Sequence, residues 1–310
     1  MKQIIILAAS VIGLFYSVVF HPSLICAEEG LAKESKTQEE WILKKIEQLT
    51  GAKGEYVSKE GVYKVGFPRS DLKVEISGTK MVPALGLGVW AGFKINDSKA
   101  MAMGDTVLTE DQVNPVLDTA LENGLEVTAI HNHFFWDSPK IMFMHIGGSG
   151  DVEKLAAGVG KIFSKIRGTA GGKGEKPFAD IDPAKTTLDP SKIEAILGVK
   201  GQMAAGVYKI TIGSTTNMHG QEAGNAMGVN TWAAFAGSDM LAVADGDFAM
   251  LESEVQPVLK ALRAAKINIV ALHSHMLMES PRMIFLHFWG VGSTTGIAKG
   301  LKTALDTQKK

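Results

Sequence analysis

Six of the eight histidines in this chain fall into two copies of one fifteen-residue pattern. The first copy runs His131-Asn-His133, then Asp137-Ser-Pro139, then Phe143-Met-His145. The second runs His273-Ser-His275, then Glu279-Ser-Pro281, then Phe285-Leu-His287. Histidine is the commonest metal ligand and the side chain that titrates nearest neutral pH. Residues two apart on a strand share a face, with Cα atoms roughly 6.5–7 Å apart. His131 and His133, or His273 and His275, can therefore converge on one ion, and the returning strand adds His145 or His287. Asp137 and Glu279, four residues after the second histidine, are the candidate oxygen ligands or catalytic bases. Three nitrogens and a carboxylate suit a divalent metal, zinc, or iron or manganese where positions stay open. Water at an open position ionises near neutral pH and becomes a nucleophile.

The competing reading is structural. Histidines on an inward strand face can be core residues bonded to backbone, and a carboxylate before Ser-Pro can bond its own turn. Three further residues are possible additions to the site. His219 has no histidine counterpart in the first copy, so it completes a fuller second site, marks an interface between the units or sits in a surface loop. Asp105 and Asp247, in Gly104-Asp105 and Gly246-Asp247, can orient a ring N–H or simply end a strand. Met142, Met144, Met276 and Met278 suggest copper beside histidine, but by strand parity they face away and read as core filling. Gly147-Gly-Ser-Gly-Asp151 matches no phosphate-loop pattern and reads as a tight turn before a helix.

The elements that must position these residues come as a duplicated set. Residues 90–148 match 232–290 at a constant offset of 142, with 21 identities and no gap. So long an ungapped match marks a tandem duplication. The expected organisation is a signal peptide over 1–27, a first unit over 36–167, a glycine-rich linker over 168–188 and a second unit over 189–308. Each unit opens with a short helix, Glu39–Leu49 or Ser191–Leu197. Strands follow at Val62–Phe67, Leu72–Ile76, Val89–Ile95 and Ala100–Met103. Val113, Val116, Leu117, Ala120 and Leu121 fall at helical spacing, and Asn123-Gly124 closes that helix. Leu125, Val127, Ala129, His131 and His133 read as one strand face, an apolar stripe running into the histidines. A last helix begins near Asp151. The fold class is α+β: two tandem homologous units, each a mixed or antiparallel sheet with packed helices, related by a pseudo-twofold.

The address is export. Lys2 precedes an apolar run from Ile4 to Phe20, and Ile25-Cys26-Ala27 offers a cleavage site after Ala27. Cleavage leaves 31 basic and 33 acidic residues, a net charge of −2, which argues against a nucleic-acid partner. It also removes the only cysteine, Cys26. Its flanking Leu24-Ile25 is a poor lipidation signal, so the expectation is a periplasmic or secreted protein with no lipid anchor and no membrane span.

The phrases around Gly104-Asp105, Val127-Thr-Ala-Ile-His131-Asn-His133 and Phe143-Met-His145, with Asn230-Thr-Trp232 and Ile267-Asn-Ile-Val-Ala-Leu-His273 in the second copy, resemble the LppY/LpqO-type family. That group comprises bacterial exported proteins and lipoproteins with a domain of unknown function. The resemblance implies export and brings no activity or catalytic residue. The functional expectation is an exported metal-binding protein, with a metal-dependent enzyme as its sharper form. The alternative is a non-catalytic module with structural histidines that binds a small molecule or a cell-envelope component.

Overall fold

The structure is a computed structural model that describes residues 38, 40–169 and 176–308. The signal segment and the glycine-rich centre of the linker lie outside the described residues. Residues 44–310 form one compact unit that contains both copies. Of the other unit, residues 1–43, the described part is helical and begins α1, residues 40–50.

The first copy contributes β1 (Gly54–Val57), β2 (Val62–Pro68), β3 (Glu75–Ile76), β4 (Thr79–Lys80), β5 (Gly88–Asn96), β6 (Lys99–Thr109), α2 (Glu110–Glu122), β7 (Glu126–His131), β8 (Asp137–Ser138), β9 (Ile141–Asp151) and α3 (Val152–Gly168). The second contributes α4 (Pro190–Leu197), β10 (Gln202–Ala204), β11 (Val207–Gly213), β12 (Thr216–Met218), β13 (Gln221–Ala223), β14 (Asn230–Gly237), β15 (Ala242–Leu251), α5 (Val255–Ala264), β16 (Asn268–His273), β17 (Met283–Gly292) and α6 (Thr294–Asp306). One 12-stranded sheet joins them in the order β1-β2-β5-β6-β9-β7-β16-β17-β15-β14-β11-β10. The second half repeats the first in reverse, and each pairing is antiparallel. The α+β expectation holds, with the mixed sheet narrowed to an antiparallel one.

Among the described residues, helices cover one face only. A Cβ on Gly148 would meet Leu155 of α3, and one on Gly290 would meet Ile297 of α6. The residues that alternate with these, Met144, Ile146, Leu286 and Phe288, are buried on that same face. The helix starts follow ordinary capping. The Asp151 side chain accepts from the Lys154 amide, while Thr109 and Gln112 form a reciprocal box at α2. On the opposite face, two small β elements cover only the strand ends. β4-β3-β8 closes a cluster of Val74, Met81, Leu87, Val107, Ile141 and Phe143. The β12–β13 hairpin helps close its counterpart of Ala223, Val229, Ala249, Met283 and Phe285.

Three expectations change. Leu72–Ile76 shortens to Glu75–Ile76, because the chain there follows the buried Arg69 and the small sheet rather than the main one. Asp137-Ser138 is a short strand paired with β3 as well as part of a turn. Gly147–Asp151 is extended and completes β9 instead of turning: it pairs with residues 99–103 of β6. Packing is close there, since a Cβ on Gly148 would stand 3.0 Å from the Leu155 side chain.

Among the described residues, the two copies join their strands at one pair, Ile130–Leu272, supplemented by side chains. Arg263 on α5 makes a two-pronged ion pair with Asp118 on α2, at 2.7 and 2.9 Å. The Asn114 amide donates to the Ile269 carbonyl at 3.1 Å and accepts from the Ile269 N–H at 2.8 Å. Gln256 does the same to Val127, at 2.8 and 3.0 Å. Both pairs of positions are related by the same offset of 142.

Gly246 lies within β15 and faces the helices; a Cβ there would sit 2.4 Å from the Trp232 carbonyl and 2.3 Å from Phe288. Gly246→Ala is therefore expected to cost about 2 kcal/mol or more, since neither neighbour can withdraw cheaply. Urea unfolding measures it, and an unchanged midpoint would contradict this close approach.

Candidate metal centre

A β-bulge decides where the histidines point. In β7, Val127 pairs with Ile146 but Ala129 pairs with His145, so Thr128 is an extra residue. In β16, Ile269 pairs with Phe288 and Ala271 with His287, so Val270 is extra. Such an insertion reverses the side-chain alternation that follows it. Val127 and Ile269 therefore face the helices, whereas Ala129, His131, Ala271 and His273 face the opposite, helix-free side. The expected continuous stripe from Leu125 through His133 is broken at this point. His131, His145, His273 and His287 are half-buried, and His133 and His275 are exposed.

In both hairpins the first histidine ring lies close to the other two. The centroids of His131 and His133 lie 5.0 Å apart, and His131 stacks on His145 at 5.1 Å. The second copy gives 5.1 Å for both His273–His275 and His273–His287. Each exposed ring is braced by a core phenylalanine: His133 stacks on Phe143 and His275 on Phe285, with centroids 3.3 and 3.5 Å apart. The Nε2 atoms of His131 and His133 stand 3.1 Å apart, one ring's N–H directed at the other's lone pair. Two ligand nitrogens on a tetrahedral zinc, with bonds of roughly 2.0–2.1 Å, would be about 3.3 Å apart. Among the described residues, one potential ligand atom from each of His273, His275 and His287 lies within 4.8 Å of the other two.

The acid beside each cluster comes from the neighbouring strand. Asp105 of β6 is directly opposite His145, and Asp247 of β15 directly opposite His287. Asp247 Oδ2 lies 3.7 Å from His275 Nε2, and Asp247 Oδ1 accepts from the Leu286 amide at 3.2 Å. Among the described residues, Asp105 Oδ1 and His273 Nδ1 are buried without a hydrogen-bond partner. Such orphaned atoms are costly unless something binds them. Three imidazole nitrogens at this spacing, those of His273, His275 and His287, could hold a divalent transition metal.

Burial sets the charges. It pushes the Asp247 carboxyl up to about 6 and raises Asp105, partly offset by His287 in one case and by His145 and His131 in the other. Burial also lowers His131, His133 and His273, each helped by neighbouring rings, and takes His275 down to about 4. These rings are neutral at pH 7, as metal ligation requires.

The other sequence candidates are placed elsewhere. Asp137 accepts from the Ile141 amide at 2.8 Å and from Lys140 Nζ at 3.0 Å, so its oxygens hold their own turn. Glu279 is buried and accepts from the Met283 amide at 3.2 Å. His219 is exposed, with φ of 55°, between β12 and β13. Met144 is buried with the helices as parity suggested, but Met278 is 86 % exposed and fills no core. Phe135 and Trp136 in one loop, and Leu277 and Met278 in the other, are exposed beside the clusters. Lys64 lies over Trp90, which is opposite Asp105, and Lys209 over Trp232, opposite Asp247. Clefts of about 700 and 630 Å³ lie elsewhere and include none of the six histidines.

Residues 44–165 and 191–307 each match the family described as Domain of Unknown Function (DUF1259). The chain belongs to this family and carries its domain twice. No curated protein matches the chain.

Continuing the Ile130–Leu272 pairing by one residue in each direction sets His131 opposite Ala271 and Ala129 opposite His273. Diagonal neighbours of this kind have Cα atoms roughly 7–8 Å apart. The clusters are thus adjacent on one face, with two alanines between them.

The Asp247 shift carries a stability consequence. A carboxyl raised in the folded state binds a proton that the unfolded chain has already lost, so stability falls as pH rises from about 4 to about 6. Metal-free Asp247→Asn is expected to exceed the parent at pH 7 by up to about 3 kcal/mol, with the gain vanishing below about pH 4. Urea midpoints measured against pH test this, and equal midpoints at pH 7 would show the buried charge to be compensated.

Proposed function

We propose that this protein is exported and binds a divalent transition metal, zinc foremost, at its two histidine clusters, with the second cluster as a hydrolytic centre. The observation that carries this reading is the closeness of His273, His275 and His287 ligand atoms, all within 4.8 Å. The unpartnered His273 Nδ1 and the adjacent Asp247 agree with it. His273, His275 and His287 would hold the ion, with Asp247 as the fourth ligand or as the acid that orients His275. The equivalent set is His131, His133, His145 and Asp105. Bound metal supplies a Lewis acid and a water that ionises near neutral pH. Exposure of His275 leaves that side open to a substrate. We take the two copies to be related by a pseudo-twofold between β7 and β16, a reading supported by the reciprocal Asn114 and Gln256 bonds. The resemblance to LppY/LpqO-type proteins supports export.

The second reading is a non-catalytic module that binds an envelope component. It is favoured by the turn-bound Asp137 and Glu279, which leave no free carboxylate in those hairpins, and by the exposed apolar loop tips.

Metal analysis of protein purified without an affinity tag is the direct test. We expect one tightly held ion per chain and a second, weaker one. His273→Ala with His275→Ala should remove the tight ion, and His131→Ala with His133→Ala the weaker one. Chains without stoichiometric metal, and with unchanged melting on adding zinc or manganese, would defeat the proposal. Metal-dependent turnover of carboxylic or phosphate esters that is lost in His275→Ala favours the enzyme; metal retention with no turnover favours the binding module.

A further inference from the structure

We infer that each histidine cluster is positioned by the other copy: Asn114 sets the second cluster and Gln256 the first. This rests on the metal-site reading above. A side-chain amide offers one donor and one acceptor, the same pair that a neighbouring strand residue would present. Asn114 uses both on Ile269, and Gln256 uses both on Val127. Each gripped residue is the last one before a bulge. The grip matters because β7 and β16 pair only at Ile130–Leu272, leaving no strand beside Val127 or Ile269 on that side.

Removing the extra residue from the register would turn His131 or His273 onto the helix side, since a one-residue slip moves every side chain to the other face. The amide fixes the backbone just upstream, so the register reaches the histidines with the bulge in place. The arrangement crosses between copies: a helix of the first acts on the strand of the second, and the converse. Asn114 and Gln256 are positioning residues and touch no ligand atom.

The test uses the full chain with one cluster disabled. In a His131→Ala, His133→Ala background, Asn114→Ala should weaken zinc binding at the remaining cluster about tenfold or more, and Gln256→Ala should leave it near the parent value. In the His273→Ala, His275→Ala background the effects should exchange. Asn114→Gln should restore the second cluster, because the other copy already uses glutamine at that position. Equal losses at both clusters, or no loss at either, would overturn the crossed assignment.

Ring resonances of the metal-free full chain keep the inference decidable if no zinc binds. Asn114→Ala should shift His273 and His287 and leave His131 and His145 in place. The absence of zinc binding in the parent would sink the metal reading alone; the absence of a crossed ring shift would sink this inference.

Discussion

A backbone N–H and C=O inside a folded sheet must find partners, and at the seam between the two copies no strand supplies them for Val127 and Ile269. Side-chain amides from α2 and α5 do so instead. That solution holds the chain beside an inserted residue, and the inserted residue reverses the side-chain parity of everything after it. The histidines consequently emerge on the face without helices, next to Asp105 and Asp247 on strands distant in sequence. Without the bulge the same residues would point into the helix-packed layer, where water and ligands have no access.

The two halves meet the same local demands with different residues. In the first copy, the buried Arg69 guanidinium donates to the Val107 carbonyl and to Gln112. In the second, Gln308 donates to the Ala249 carbonyl and to Glu254, the residues at the equivalent positions. A long cation entering from one direction and an amide from another thus satisfy the same pair of groups. The equivalent positions share the demand and differ in the supplier. A similar difference separates the clusters, since Gly147 lies two residues beyond His145 where Trp289 lies beyond His287.

The clusters oppose stability on their own. Asp105 and Asp247 are raised by burial, rings are crowded against rings, and two polar atoms have no partner among the described residues. A fold gains nothing from concentrating such groups unless they bind something, because each unsatisfied buried atom costs on the order of 1–3 kcal/mol. The phenylalanine stacks on His133 and His275 add rigidity that a solvent-facing ring does not otherwise need. Preorganised neutral imidazoles beside a carboxylate are the arrangement that a divalent cation would relieve.

Much of this was legible in the residues. The offset of 142 reveals the duplication, helical spacing locates α2 and α3, and the fifteen-residue pattern picks out all six clustered histidines. These follow from periodicity and repetition, which are properties of the chain itself. The acid was harder to read. Asp137 and Glu279 are close in sequence, but a carboxylate beside a turn finds the turn's own amides first. Asp105 and Asp247 reach the histidines through strand register, which joins residues some 40 apart. The bulges left no mark in composition, because Thr128 and Val270 are ordinary strand residues. Sequence alone determined which residues repeat and which can ligate. Tertiary structure decided which face they occupy and which acid they meet, because those depend on backbone pairing between segments the sequence keeps apart.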